Sequence, residues 1–514
     1  MSKSRNAVKF NWRSLFRILF SRTMLVTSLL IINFLFLFSI IFGYFQHIPA
    51  VFGSIVVFTA AMELMVLNSR NDMDVKLSWA VLIGVLPIFG AFLYLFIRFD
   101  IGNRVSKKLI NSSIEKSLPH VPHDADPDED SEIQPIVQYL ATQAHAPAFH
   151  NTEVTYYPLG EEMFADLLMD LEKAEKFIFM EYFLVSKGHM WNSILEILQR
   201  KAAQGVEVRF LYDGMNAFMN LPYNYPQELE SMGIHCKMHA PVRPFISTHY
   251  NNRDHRKITV IDGHTAFTGG INLEDRYINI DSPYGHWKDT AVRLRGDAAR
   301  GFTLLFLQLW NATERNPDFQ SYMLPVDHGI SANGLVIPYG DGPSSSENVG
   351  EMVYLDMIHR AKNYLYIMTP YLIPNAELIS GLKFAARRGV DVRLILPGIC
   401  DHKATQIIAR SYYQELAESG VRIYEYTPGF VHAKVFLCDD LQAVVGTINL
   451  DYRSLRHHFE CGAYLYRVPA LADIKEDFLQ TMNRCRLIQP EDIQNFSWCS
   501  RIFAYVAKLI APFL

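Results

Sequence analysis

The chain has 514 residues, half of them hydrophobic, and a formal net charge of −5. That length can hold several domains, and the weak acidic balance without any block of Lys and Arg excludes a nucleic-acid surface. Six cysteines without a Cys-x-x-Cys pair give no metal scaffold, and Cys438 reads as a small buried apolar residue.

The hydrophobic excess lies at the N-terminus. Residues 23–45 form an apolar run long enough to cross a bilayer, 49–67 a second with Glu63 near its end, and 77–97 a third interrupted by Gly84, Pro87 and Gly90. The expectation is a multi-pass membrane region over residues 1–100. A signal peptide competes for the first run, but its length, the lack of a cleavage site and the two runs behind it weigh against that. Lys3, Arg5, Lys9, Arg13, Arg17 and Arg22 precede the first run, and Arg98, Arg104, Lys107, Lys108 and Lys116 follow the third. The positive-inside rule pulls both clusters to the cytoplasm, which three crossings cannot satisfy. Either all three runs span and the rest of the chain faces outward, or one run, expected to be 49–67 with its Glu63, is re-entrant or interfacial. The second basic cluster, beside the bilayer, favours the cytoplasmic face of the cell membrane for the remainder of the chain.

Residues 101–150 read as a linker containing Asp124, Asp126, Asp128, Glu129, Asp130 and Glu132. The run lacks the Gly and the spaced Glu of a calcium loop, so a solvated segment is expected.

Two similar halves come next, 151–330 and 331–500. In the first, a strand pattern through Phe177 to Phe183 is followed by a helical pattern ending at Gly205 and a second strand. In the other, Tyr364 to Met368 is followed by a helix ending at Gly389 and a strand. Helices alternating with β-branched strands predict an α/β fold, a mixed or parallel sheet flanked by helices in each half.

Each half also carries His-x-Lys-x-x-x-x-Asp, as His255, Lys257 and Asp262 and as His432, Lys434 and Asp439. Each copy continues to a Gly (Gly269, Gly446) and then an Asn (Asn272, Asn449). Packing preserves apolar periodicity and lets polar types drift, so this repeat points to one active site built from two halves. His and Lys, two apart on a short β-branched strand, project from the same face. The glycines are expected to let the backbone pass close to a ligand. Two imidazoles, two ammonium groups and two amides suit a phosphodiester: Lys and Asn hold the nonbridging oxygens, one neutral His attacks phosphorus, and the other serves as acid and base. The scheme requires no metal or cofactor. The competing reading is a duplicated fold with relict motifs.

Residues 501–514 place Ile502, Phe503, Val506, Leu509, Ile510 and Phe513 on one helical face opposite Arg501 and Lys508. This amphipathic helix is expected either in the membrane interface or packed on the domain.

The repeated motif resembles the HKD motif of the phospholipase D superfamily. That resemblance implies two pseudo-symmetric α/β domains whose motifs meet at their interface, with His255 as nucleophile and His432 as acid. It also implies an orienting carboxylate in each half, matched here by Glu460 and by Asp289 in His286-Trp287-Lys288-Asp289. Thr447, where the first copy has Gly270, adds a hydroxyl expected to touch phosphate. The segment Leu77 to Tyr94, the surroundings Asn252 to Ile258 and the run Thr369-Pro-Tyr-Leu-Ile-Pro374 are similar to bacterial cardiolipin synthases of the phospholipase D type. The similarity runs from about residue 50 to the C-terminus, with 23–45 as an N-terminal addition. It implies phosphatidyl transfer between two molecules of phosphatidylglycerol, giving cardiolipin and glycerol on an anionic membrane. A membrane-bound phosphodiesterase that hydrolyses phospholipids and a noncatalytic membrane scaffold are the alternatives.

Overall fold

The computed structural model describes residues 22–42, 49–99, 101–122, 132–241, 252–323, 325, 329–343, 345, 347–494 and 498–513. The basic residues from Lys3 to Arg17 and the acidic residues from Asp124 to Asp130 lie outside the described residues. Among the described residues the chain divides into two units, one within 22–105 and the other comprising 106–241 and 252–513.

The first unit is helical. Pro87 lacks the N–H that a continuing helix needs, so the third apolar run breaks into Met73–Val85 and Pro87–Arg98, of 13 and 12 residues. At about 1.5 Å per residue each rises only about 18–20 Å. Gly90 lets the second helix return against the first, since a Cβ there would stand 2.9 Å from Ile83 Cα. Trp79 packs edge-on to Tyr94 at 5.2 Å. Buried Asn33, on the helix Arg22–Ile41, accepts the N–H groups of Ile88 and Phe89 at 3.1 and 3.3 Å. The third run is therefore a helical hairpin, and the second, expected as the re-entrant one, is a continuous 19-residue helix, Pro49–Leu67. Among the described residues, Ala50–Leu67 is the one helix both long and apolar enough to cross a membrane, while Val26–Ile41 and Pro87–Arg98 are apolar but shorter.

The second unit contains both halves. The first contributes β1 (Thr152–Tyr157), β2 (Phe177–Tyr182), β3 (Glu207–Asp213), β4 (His235–His239), β5 (Lys257–Ile261), β6 (Thr265–Gly269), β7 (His286–Lys288) and β8 (Ala291–Gly296). The second contributes β9 (Leu335–Asp341), β10 (Tyr364–Met368), β11 (Leu372–Ile373), β12 (Asp391–Pro397), β13 (Arg422–Tyr426), β14 (Gly429–Val431), β15 (Val435–Cys438), β16 (Gln442–Gly446), β17 (Leu450–Asp451), β18 (Glu460–Tyr466) and β19 (Cys485–Leu487). The main sheets run β1-β8-β6-β5-β2-β3-β4 and β9-β18-β16-β15-β10-β12-β13-β19. Apart from the added β19, the two orders correspond strand for strand.

In each sheet the motif strand, β5 or β15, lies antiparallel between its neighbours, and the parallel crossover β2 to β3, or β10 to β12, lies alongside. The crossover helices His189–Ala203 and Ala376–Arg387 stop at Gly205 and Gly389, whose φ of 93° and 98° is left-handed. The adjoining strand accounts for the small size of Gly269 and Gly446: a Cβ on either would stand 2.3 Å from Thr290 O or 2.4 Å from Cys461 O. They are small because β8 and β18 pass there.

The halves share a core in which Phe179, Ile258 and Val260 join Met368, Val435, Leu437 and Val445, and the helix Ala299–Trp310 is buried along its whole length. Two backbone seams also cross between them. β7 pairs in parallel with β14, and Asp254 bridges to Phe459. The C-terminal helix Trp498–Ile510 packs its small residues, Ala504 and Ala507, inward, and leaves Ile502, Phe503, Tyr505, Val506 and Leu509 exposed.

Candidate active site

The two seams place the motifs. His255 donates its backbone N–H to Phe459 O at 2.9 Å, and Phe459 is the neighbour of Glu460; His432 donates to Lys288 O at 2.7 Å, and Lys288 is the neighbour of Asp289. Each histidine is thereby set opposite the carboxylate of the other half. His255 Nδ1 lies 2.9 Å from both Oε1 and Oε2 of Glu460, and His432 Nδ1 lies 2.6 Å from Asp289 Oδ2. The orienting carboxylates expected within each half are thus exchanged across the pseudo-twofold relation, because the strand carrying each carboxylate pairs with the segment entering the opposite motif.

The lysines follow from strand alternation. Lys257 and Lys434 sit two residues beyond the histidines, each only 1% exposed. Lys257 Nζ donates to His255 O at 2.5 Å, Lys434 Nζ reaches His432 O and stands 2.8 Å from His432 Nδ1. Burial, opposed by Glu460 and Asp289, lowers Lys257 to about 8. Lys434 falls to about 7 through burial and the charge of Lys257, against the pull of Asp289.

Burial likewise lowers His255 to about 3 even though Glu460 pulls the other way, so the imidazole is neutral. His432 is held well below its ordinary value by burial and by Lys434 and Lys257. The carboxylates differ. Burial opposes the charge on Glu460, but His255 holds it well below the usual carboxylate range; Asp289 is pushed up to about 6 by burial, which Lys434 and the Thr290 N–H counter. The carboxylate at His255 Nδ1 fixes the tautomer with the proton on that nitrogen and leaves Nε2 with its lone pair, whereas His432 Nδ1 meets both Asp289 and the ammonium of Lys434. Aromatic rings wall both histidines: Phe183 edge-on to His255 at 5.1 Å, and Tyr277 and Trp287 at 5.4 and 5.3 Å from His432.

Several sequence candidates do not enter this pocket. Asp262 and Asp439 lie at the far ends of their strands and bind backbone. Asp262 accepts the N–H groups of Glu175, Lys176 and Phe177 at 2.7–2.8 Å, and Asp439 those of Lys362, Asn363 and Tyr364 at 2.6–2.8 Å. Both take φ near +54°, a turn conformation that Asp tolerates. Thr447 does not face a phosphate position, because its hydroxyl donates to Glu460 and accepts the Cys461 N–H. Its counterpart Gly270 is required to be small, since a Cβ there would stand 2.0 Å from Asp289 Oδ1. Asn272 spends its amide on the Leu184 N–H and the Tyr277 hydroxyl, at 2.9 and 2.7 Å. Asn449 takes its place beside Ser454, which accepts its backbone N–H at 2.8 Å, and keeps a buried Oδ1 without a hydrogen-bond partner.

Two residues had no signal in the motif pattern. Ser454 donates its hydroxyl to Glu460 Oε1. His458 stands two residues before Glu460, with its ring 5.3 Å from that of His255. Together the site offers two neutral imidazoles, two carboxylates behind them and two lysines, the equipment for attack on a phosphodiester and protonation of its leaving group.

A sequence model of the family described as "Cardiolipin synthase, PLD-like domain" matches residues 167–285 and 354–482, which contain both motifs. An uncharacterized protein of Streptococcus mutans is 46% identical over 88% of this chain and 99% of its own length. A cardiolipin synthase of Halalkalibacterium halodurans is 33% identical over 91% of this chain and 94% of its own. Among solved structures, a phosphatidylserine synthase from Haemophilus influenzae superposes with a TM-score of 0.55 at 16% identity, covering 75% of this chain and 100% of that one, a likeness of fold.

Proposed function

The chain belongs to the cardiolipin synthase family with phospholipase D-like domains, and from that membership we propose that it transfers a phosphatidyl group between two molecules of phosphatidylglycerol, releasing cardiolipin and glycerol. The observation that carries the chemistry is the exchange of carboxylates between halves: neither half has both a histidine and its orienting partner, so the reaction belongs to the pair.

In the proposed course, Nε2 of neutral His255 attacks phosphorus while Glu460 stabilises the charge growing on the ring. The bond from phosphorus to the glycerol headgroup breaks, and His432 gives its proton to the departing oxygen. His432 is kept neutral in the free site by burial and, beyond that, by the charges of Lys434 and Lys257; the anionic phosphodiester opposes those charges and draws a proton onto His432 as substrate binds. Lys257 and Lys434 hold the nonbridging oxygens. A hydroxyl of the second phosphatidylglycerol then attacks the phosphohistidine, surrenders its proton to His432 and leaves as cardiolipin.

Purified protein incubated with phosphatidylglycerol alone tests this reading. Cardiolipin and free glycerol in equal amounts are expected. Phosphatidic acid as the main product indicates water as acceptor, and the absence of any product indicates a scaffold.

We further propose that the apolar run 23–45, which contains most of the 20-residue helix Arg22–Ile41, and Ala50–Leu67 cross the cell membrane and that the hairpin broken at Pro87 is re-entrant. Two crossings return both basic clusters to the cytoplasmic side, as the positive-inside rule asks, and set the catalytic halves there. Protease applied to sealed, right-side-out cells should leave the region from Leu118 onward intact; cleavage in the acidic linker places the catalytic halves outside.

A further inference from the structure

We propose that His255, His458 and Glu460 form a binding site for one divalent transition-metal ion of the zinc type, and that an ion held there switches the enzyme off. The inhibitory consequence rests on the functional reading above; the binding itself does not.

Backbone geometry gathers the three side chains. His458 and Glu460 are two apart on extended chain and so share a side. Phe459 between them exchanges hydrogen bonds with the Arg253–His255 segment, its N–H donating to Arg253 O at 2.8 Å and its carbonyl accepting from His255 N at 2.9 Å. One ring nitrogen from each histidine and one carboxylate oxygen lie within 4.8 Å of one another, and all three residues are buried.

His458 is the second, independent observation. It is 8% exposed, yet neither ring nitrogen has a hydrogen-bond partner. Its Nδ1 stands 3.6 Å from Glu460 Oε1, too long for a hydrogen bond. Buried polar groups are seldom left so. The reaction does not explain this imidazole: two residues before the other carboxylate, Asp289, the corresponding side chain is the indole of Trp287, which packs on His432.

Two imidazoles and a carboxylate are a donor set suited to zinc, with a fourth position left for water. Closing the three atoms to the roughly 3.4 Å edge of a zinc tetrahedron calls for rotation of the His458 ring, which no hydrogen bond fixes. The ion displaces the proton that His255 Nδ1 shares with Glu460, and that proton passes to solvent. The ring then gives electron density to the metal and loses the carboxylate that supports attack by Nε2. Zinc binding and phosphoryl transfer are mutually exclusive at His255.

The test uses the full-length protein in detergent without lipid. Cobalt(II) should add one ion per chain with the visible ligand-field absorption of a four-coordinate site, zinc should displace it, and His458→Asn should lose the signal. In the transfer assay, zinc should abolish wild-type turnover, EDTA should restore it, and His458→Asn should keep turning over at the same zinc concentration. A featureless cobalt spectrum in the wild type, equal binding in His458→Asn, or equal zinc sensitivity of both proteins overturns the proposal. If the Asn variant fails to melt cooperatively, His458→Gln replaces it, and the wild-type cobalt spectrum decides by itself. A protein that binds cobalt at His458 but makes no cardiolipin in zinc-free buffer retains the site and refutes the functional reading instead.

Discussion

His255 Nδ1 and Glu460 are 205 residues apart in sequence and 2.9 Å apart in space. The equivalent contact, His432 to Asp289, crosses between the halves in the other direction. Each half therefore supplies a reactive ring to itself and a carboxylate to its counterpart, and loss of either carboxylate should disable the shared site. Glu460→Gln and Asp289→Asn are expected to lower kcat by about 10²- to 10⁴-fold, the usual scale of acid and base assistance. The double variant should be little worse than the poorer single one, because groups acting as a unit do not add. Steady-state kinetics on all three proteins checks this; additive losses would mean two separate sites.

Asp262 and Asp439 should behave differently, as supports of the fold. Each carboxylate accepts three backbone N–H groups at the start of a neighbouring strand. An orphaned buried N–H costs about 1–3 kcal/mol, and Ala at a left-handed φ adds strain. Asp262→Ala should lower the melting temperature markedly, Asp262→Asn less so, and the folded fraction of the Asn variant should retain turnover. Full stability with lost turnover in Asp262→Asn would return this residue to the chemistry.

These two outcomes mark what the sequence could and could not disclose. The repeat of His and Lys was legible because polar types recurred where packing had no use for them, whereas Asn272 serves hydrogen bonds of the fold; the α/β halves were legible from strand periodicity and the helix-ending glycines. The role of the Asp was misread because proximity in sequence is not proximity in an extended strand: five residues from Lys257 at about 3.3 Å each carry Asp262 about 16 Å away. The exchange of carboxylates depends on which strands pair between halves, and no local pattern encodes that. Thr447 looked like a ligand for phosphate, and it is a donor to Glu460. In the N-terminal helical unit, one proline turns the third apolar run into a hairpin.

The pH profile should report the lysines. Burial lowers Lys434 to about 7 and Lys257 to about 8 in the free site, and in the proposed course their ammonium forms hold the phosphodiester. Charged below these values and neutral above them, they steepen the fall of kcat/KM as pH rises through about 7 to 8, on top of the fall that the need for protonated His432, neutral in the free site, already imposes, since this ratio follows free-enzyme groups. Neutral His255, lowered to about 3, contributes no acid limb near 6.5. A ratio that stays level to pH 10 would contradict this assignment.

Chelation should not remove activity, because the proposed steps use imidazole, ammonium and carboxylate alone. Turnover in EDTA should equal or exceed that in untreated buffer. Complete loss in EDTA, regained with a divalent ion in a lipid background where the ion does not merely screen anionic headgroups, would overturn the mechanism.

The central claim is that one covalent phosphohistidine, on His255, links the two halves of the reaction. Rapid quenching of the enzyme with labelled phosphatidylglycerol, followed by peptide mapping under conditions that preserve phosphoramidates, reads it directly. The label should lie on the peptide containing His255 and vanish in His255→Ala. Label on His432 would reverse the roles of the two histidines, and turnover without any trapped adduct would contradict the covalent account.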